Sequence, residues 1–130
     1  MTRREEIRAE GQPEPLSHYT DAVRVEGPLL FVSGVVPVDE VGRLVGGDDV
    51  VAQARRVFAN IGAVLEAAGA TFADVVKVTL FLTDVEDRPR INTVRREVFG
   101  PTRPASTLVE VSALAVPGAR IEVEAVAVVR

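Results

Sequence analysis

The sequence predicts an α+β domain with the element order ββαβαββ, and three features of its pattern lead to this fold class. Two segments repeat apolar residues at helical spacing. Five shorter segments are rich in β-branched and other apolar residues and are bounded by turn-forming residues. Because two helices of this size cover only one face of a sheet, we expect a mixed sheet with both helices on one face.

The first strands follow a charged N-terminal segment. Residues 1–15 are rich in charge and contain two prolines, so we expect a flexible arm ahead of a single domain over residues 16–130. A short strand is predicted over residues 19–25. The turn Glu26-Gly27-Pro28 leads to a second strand over residues 29–35, and the two strands are interpreted as a hairpin.

A first helix is predicted to begin after Asp48 or Asp49, because either side chain can accept hydrogen bonds at the N-cap. Its apolar positions have helical spacing: Val50, Val51, Ala54, Val57, Phe58, Ile61, Val64, Leu65 and Ala68. Gly69 is expected to end the helix, because glycine readily adopts the left-handed conformation of a C′ residue.

Residues 74–83 alternate like a strand with two occupied faces. Val76, Val78, Leu80 and Leu82 are assigned to one face, and Val75, Lys77, Thr79, Phe81 and Thr83 to the other. The face with the polar residues, together with Ser33, suits packing against another subunit better than contact with solvent. We therefore expect a closed homo-oligomer that covers the bare face of the sheet.

A second helix is predicted between the cap Asp87 and the stop at Gly100, with an apolar stripe of Ile91, Val94 and Val98. The pair Arg95-Arg96 is interpreted as part of its solvated face. Strands over residues 106–111 and 120–129 complete the chain.

Composition excludes several classes of function. The chain has no Cys and a single His, so we expect no disulfide, no thiolate nucleophile and no metal site. A net charge of −4 argues against a nucleic-acid partner, because affinity for phosphates comes largely from clustered Lys and Arg. Without a long apolar run, and with a charged N-terminus, the protein is expected to be cytoplasmic and free of membranes.

Two glutamates are the first candidates for chemistry. Glu122 and Glu124 alternate with apolar residues, so they share a strand face about 6.5 to 7 Å apart. Partial burial beside a like charge would raise the pKa of one carboxyl into the range of a general acid or base. The alternative, which the sequence alone favours, is that both glutamates are solvated.

Other polar residues allow more than one interpretation. Tyr19 and His18 could bind a substrate or move a proton, but a packing tyrosine and an exposed loop histidine are the simpler alternatives. Asn92 could bind a ligand or nearby backbone. Ser106 and Thr107 offer hydroxyls, yet no His-Asp relay is spaced to activate them, which excludes a serine hydrolase.

Several of these residues lie in sequence motifs that match a known protein family. The matching residues are Tyr19 after a proline-containing arm, the run Phe31-Val32-Ser33-Gly34, Asn92, and the runs at 103–111 and 121–127. On these residues the chain resembles the RidA/YjgF family of reactive-intermediate deaminases. The resemblance extends from about Pro15 to Arg130. It implies a chorismate-mutase-like fold, a homotrimer with clefts between subunits, and cofactor-free hydrolysis of small enamines and imines to a 2-keto acid and ammonia.

The resemblance also implies roles for residues. Glu122 would position the attacking water and Tyr19 would contact the substrate. Ser33, Gly34 and Asn92 would line the cleft, Thr107 would be a further substrate contact, and backbone near Leu108 would contact the substrate carboxylate.

One position departs from the family pattern. Imine-hydrolysing members have an arginine for the substrate carboxylate where this chain has Ser106, and a neutral hydroxyl cannot form a bidentate ion pair. We therefore expect a branch of the family that lacks this arginine and acts on an atypical or aromatic-derived substrate. Arg103, three residues upstream, is a candidate to fold back into the cleft, the alternative being a solvated loop residue.

Two further functions stay open at this point. A non-catalytic module that binds a small metabolite, or regulates through it, would use the same cleft. An endoribonuclease, as some relatives have been named, is disfavoured by the acidic pI of about 5.0.

Overall fold

The structure is a computed structural model that describes residues 3–130, and this part of the chain contains six β-strands and two α-helices. The strands are β1 (Arg3–Ile7), β2 (Ala22–Glu26), β3 (Leu29–Val35), β4 (Val75–Leu82), β5 (Ala105–Glu110) and β6 (Ile121–Val128), and the helices are α1 (Val50–Ala67) and α2 (Arg88–Phe99). Apart from the additional first strand, the order is the predicted ββαβαββ, and the α+β fold class is confirmed.

A four-stranded mixed sheet forms the centre of the fold, with the strand order β3-β6-β4-β5. β6 runs antiparallel to both β3 and β4, whereas β5 pairs with β4 in parallel. A parallel pair needs a crossover connection, which α2 supplies. β5 is the last strand in this order and therefore an edge strand, and beyond the bridge of Ala105 to Thr20 its outer side pairs with no strand within residues 3–130.

Both helices pack on one face of this sheet and enclose the apolar core. α1 begins as predicted, because the Asp49 carboxylate accepts from the N–H groups of Val51 at 2.9 Å and Ala52 at 3.4 Å. The rings of Phe58, Phe72 and Phe99 pack edge to face with centroids 5.4 to 6.4 Å apart, joining α1 to the end of α2. Neither helix of the described chain is long and apolar enough to cross a bilayer.

A strand is found where the sequence predicts an N-terminal arm without regular structure. β1 pairs antiparallel with β2, and Nε of Arg4 donates to the Val75 carbonyl oxygen at 3.0 Å. The Thr20 hydroxyl donates to the Ile7 carbonyl oxygen at 3.0 Å. The two prolines that argue against regular structure follow this strand, so they do not interrupt it.

The predicted hairpin is wrong. β2 pairs with β1, β3 pairs with β6, and no ladder joins β2 to β3 within residues 3–130. Gly27 has a φ of 129°, which a residue with a side chain rarely adopts. The carbonyl of Pro28 accepts from the Val129 N–H at 2.9 Å. The turn therefore connects the two-stranded sheet of β1 and β2 to the four-stranded sheet.

One residue of β4 lies on a different face from the one that alternation predicts. Val75 is fully buried and belongs to the apolar core, whereas Lys77, Thr79 and Phe81 stay outside it as expected. The pairing of β4 with β6 shifts register between Val75 and Lys77. Such a bulge breaks the period of two, and this places Val75 beneath the helices.

The sheet face opposite the helices is uncovered in the single chain. Phe31 on β3 is 74% exposed and Val109 on β5 is 39% exposed. Phe81 lies between them in sheet order and is only half-buried. Large exposed apolar side chains on one face are typical of a surface that contacts another protein.

Candidate functional site

A cavity of about 290 Å³ lies beside the edge strand β5, on the helix side of the sheet. It is enclosed by the segment before β2, the start and middle of α2, and two side chains of β5. The lining residues are Leu16, Ser17, Tyr19, Val85, Arg88, Arg95, Ser106 and Leu108. Three of the predicted site residues, Tyr19, Ser106 and Leu108, therefore lie together.

Alternation along β5 explains which of its residues reach the cavity. Ser106 pairs with Val78 and Leu108 with Leu80, both of which are core residues on the helix side. Thr107 points to the other face, where its hydroxyl oxygen accepts from Lys77 Nζ at 2.7 Å. The structure therefore does not bring Thr107 into the cavity.

The segment before β2 is fixed to α2 and β5 by hydrogen bonds. The His18 N–H donates to Asn92 Oδ1 at 2.8 Å, and His18 Nε2 lies 2.8 Å from the Gly100 carbonyl oxygen. The Thr20 N–H donates to the Pro104 carbonyl oxygen at 3.1 Å. Asn92 is buried behind the segment and holds it in place instead of lining the cavity.

The environment of His18 favours the neutral imidazole. Burial lowers the pKa of His18 below its ordinary value of 6.5, while the hydrogen bond to the Gly100 carbonyl acts in the opposite direction. Because the carbonyl can only accept, Nε2 is the protonated nitrogen and donates to it. His18 thus shapes the segment that carries Tyr19.

Arg95 is not on a solvated face, and the interpretation of the pair Arg95-Arg96 is wrong for this residue. Arg95 is 1% exposed. Its Nη2 donates to Ser106 Oγ at 3.0 Å and to the His18 carbonyl oxygen at 3.3 Å. The sequence did hold a signal, because position 95 lies four residues after Ile91 and three before Val98, on the apolar stripe of α2.

The guanidinium of Arg95 has no counter-ion. Among the ion pairs of residues 3–130 none involves Arg95, and its Nε is buried without a hydrogen-bond acceptor. Burial lowers the pKa of Arg95 to about 10, and the nearby Tyr19 acts weakly in the opposite direction. At neutral pH the buried side chain is therefore still a cation.

A second guanidinium lies at the cavity. Arg88 Nη1 donates to the Leu16 carbonyl oxygen at 3.0 Å and to Ser17 Oγ at 3.1 Å. No carboxylate is among the residues that line the cavity. Two arginines, a phenol and two serine hydroxyls beside three apolar side chains form a site suited to a small anion with an apolar part.

Glu122, Ser33 and Gly34 lie on the other side of the sheet. Glu122 pairs with Phe81 on the uncovered face, and its carboxylate occupies the place where a Cβ of residue 34 would stand. Ser33 is exposed beside it. Within one chain the sheet separates this group from the cavity, so the predicted catalytic carboxylate and the predicted substrate contacts do not meet.

Arg103 is exposed and does not line the cavity. Its backbone N–H donates to Glu6 Oε2 at 2.8 Å, and its carbonyl oxygen accepts from Arg4 Nη2 at 3.1 Å. The strand β1 therefore holds this loop outside the cavity. Within residues 3–130, no three His, Asp or Glu side chains come together as ligands for a metal ion.

Comparison with known proteins gives consistent results. The sequence model of a family described as endoribonuclease L-PSP matches residues 9–129. The 3-aminoacrylate deaminase RutC of Acinetobacter baylyi is 40% identical, over 95% of this chain and 97% of the relative. A 2-iminobutanoate/2-iminopropanoate deaminase of Capra hircus is 38% identical, over 89% and 83%.

A solved structure agrees with the same grouping. The crystal structure of a member of the conserved Rid protein family from Yersinia pestis, described as a protein of unknown function, superposes with a TM-score of 0.90. The two sequences are 34% identical, over 97% of this chain and 98% of the other.

Proposed function

The chain belongs to the RidA/YjgF family, whose sequence model is described as endoribonuclease L-PSP, and from this premise we propose that it is a hydrolytic deaminase of small enamines or imines. The two deaminases reported above are named for substrates that combine a carboxylate with an amino or imino group. The observation that carries the proposal is the cavity at Tyr19 and Ser106, which presents cations and no carboxylate.

The proposed site lies between two copies of the chain. Glu122 and the cavity are on opposite faces of one sheet, so the carboxylate that positions water must come from another subunit. A second copy that lays its uncovered face against the open edge of β5 would bring its own Glu122, Ser33 and Gly34 to the cavity. A closed ring of three copies, as the family resemblance implies, would form three such clefts.

The proposed mechanism needs no cofactor. The substrate binds with its carboxylate in the cationic cavity and its C=N carbon toward Glu122, and the Tyr19 hydroxyl contacts it. An enamine substrate first takes up a proton at carbon and becomes an iminium ion. Glu122 accepts a proton from water as the water oxygen bonds to the iminium carbon, and a carbinolamine forms.

Proton transfer completes the reaction. The proton held by Glu122 passes to the amine nitrogen of the carbinolamine, and the C–N bond breaks as the hydroxyl proton returns to the Glu122 carboxylate. Transfer of that proton to the released ammonia or to water restores the carboxylate. The products are ammonia and a carbonyl compound. The apolar side chains of Leu16, Val85 and Leu108 would contact the rest of the substrate, and their presence favours aliphatic or aromatic side chains over charged ones.

A competition assay tests the proposal. An amino-acid oxidase generates a series of aliphatic and aromatic 2-imino acids in situ, and semicarbazide traps whatever imine is not yet hydrolysed. The protein is expected to lower the yield of semicarbazone and raise the initial rate of ammonia release for at least one member of the series. If no imine is hydrolysed faster than in buffer, while the same carboxylates raise the melting temperature, the protein is a metabolite-binding module and not a deaminase.

A further inference from the structure

We infer that Arg95 on α2 is the carboxylate anchor of this site, with Ser106 as its hydroxyl partner. The inference rests on the proposed function and names the residue that binds the acidic end of the substrate. It also accounts for the neutral residue at position 106, because the cation is supplied from the helix that faces the strand.

The charge of Arg95 is buried without a counter-ion in the described part of the chain. A buried cation is costly unless a counter-ion and hydrogen-bond acceptors compensate it. Arg95 is 1% exposed, forms no ion pair within residues 3–130, and keeps a buried Nε without an acceptor. An anion in the adjoining cavity would provide the counter-ion that residues 3–130 do not supply.

The guanidinium of Arg95 is held at the wall of the cavity. Arg95 lines the cavity, and both of its protein hydrogen bonds leave from Nη2, to Ser106 Oγ and to the His18 carbonyl oxygen. These two bonds fix the plane of the guanidinium from one end. Nη1 makes no hydrogen bond within residues 3–130 and is left for a ligand.

Ser106 can act as a hydrogen-bond donor beside Arg95. Its oxygen accepts from Arg95 at 3.0 Å, so its own proton is free to be donated. A carboxylate in the cavity could take one hydrogen bond from the guanidinium and one from this hydroxyl. Arg95 and Ser106 together then offer a cation and a neutral donor at one place. They would replace a single arginine at position 106 of β5.

The other arginines fit this role less well. Arg88 is half-buried, and its Nη1 is already shared between the Leu16 carbonyl oxygen and Ser17 Oγ. Arg103 is exposed and outside the cavity. Arg95 is therefore the cation whose burial is explained by a ligand.

Substitution of Arg95 by Met tests the inference, with Arg96→Met on the exposed neighbouring position as the matched control. Calorimetry with propanoate and with propanamide measures binding without any turnover. We expect Arg95→Met to weaken propanoate binding by about 30-fold or more and to leave propanamide binding within about 2-fold. Arg96→Met should bind both as the unchanged protein does.

The melting temperature separates an anchor from a structural residue. It shows whether each variant is folded, and burial, which lowers the pKa of Arg95, makes its charge unfavourable in the folded chain, so we expect Arg95→Met to stay folded. If Arg95→Met melts lower and binds propanoate as tightly as the control, Arg95 is structural and the inference is overturned. Arg95→Gln, which keeps a polar side chain but carries no charge, repeats the comparison if the Met variant does not fold.

A charge-swap variant gives an independent result. Arg95→Ser combined with Ser106→Arg moves the cation back onto β5, and we expect it to recover propanoate binding that Arg95→Ser alone has lost. No recovery would contradict the inference. Propanoate binding that depends on Arg95 in a protein without imine hydrolysis would refute the proposed function alone, whereas hydrolysis unaffected by Arg95→Met would refute the inference alone.

Discussion

Single residues decide what this cavity can bind and where a reaction could occur. Ser106, read by itself, indicates a site without a cation. Arg95 Nη2 lies 3.0 Å from its hydroxyl oxygen and restores the cation from another element. A change at one position of a site therefore has to be judged with the side chains that face it across the fold.

Glu122 is expected to be the catalytic carboxylate, and its amide variant tests that role. Glu122→Gln keeps the size of the side chain but cannot accept a proton, so the hydrolysis rate should fall by about 100-fold or more. The matched control is Glu124→Gln, which lies on the same face of β6, opposite Thr79, and is exposed. Equal rates for the two variants in the semicarbazide assay would contradict the assignment.

His18 should make stability depend on pH in one direction. Because its folded pKa is lowered, the unfolded chain binds the proton more readily, and stability is lost as pH falls below 6.5. The loss levels off once pH is below the folded pKa. His18→Gln removes this titration, so the melting temperature of the unchanged protein minus that of the variant should decrease between about pH 7.5 and 5. A constant difference would show that burial does not perturb this imidazole.

Part of the cavity can be predicted from the sequence, but its cations cannot. Tyr19, Ser106 and Leu108 are predicted site residues and lie together. The pair Arg95-Arg96 predicts a solvated face because paired arginines are usually exposed, although the spacing of Arg95 from Ile91 and Val98 is that of the buried stripe. Arg88 gave no signal, since its contact with Leu16 joins segments that are 72 residues apart.

At the scale of elements, local pattern predicted most helices and strands because their causes are local. β3 and α1 follow from an apolar run between turns and from a cap with helical spacing. The pairing of strands has non-local causes. The turn Glu26-Gly27-Pro28 predicts a hairpin of β2 and β3, yet β2 forms its ladder with β1 and β3 forms its ladder with β6. The bulge at Val75 likewise depends on β6, which lies far away in sequence.

The cap of α1 provides a test of a local contribution. Asp49→Ala removes the acceptor for two N–H groups of the first turn and should lower the free energy of unfolding by about 1 kcal/mol. Asp48→Ala is the control, because that side chain is fully exposed and lies 3.6 Å from Arg120 in a surface ion pair. Urea denaturation measures both variants, and an equal effect of the two would exclude the capping role.

At the scale of the whole molecule, the uncovered sheet face is the strongest sign that the chain is one part of an assembly. We expect a homotrimer with about three times the chain mass of 13.9 kDa. Phe31→Arg places a charge on the exposed apolar face, at the edge strand β3, where Phe31 is 74% exposed, and should yield folded monomers. Val41→Arg changes a residue that is 66% exposed in the loop before α1 and serves as the control.

Light scattering after size exclusion, with circular dichroism for folding, measures this prediction. A monomeric unchanged protein at micromolar concentration, or a Phe31→Arg variant that keeps the trimeric mass, would show that this face is not the interface.

The central claim is that the cavity of one copy works with Glu122 of another. It is tested by unfolding and refolding the inactive variants Arg95→Met and Glu122→Gln together and measuring imine hydrolysis. Random mixing in a ring would give about a quarter of the clefts an intact cavity from one subunit and an intact glutamate from its neighbour. We predict that the mixture recovers about that fraction of the original activity. A mixture no more active than the separate variants would contradict the account.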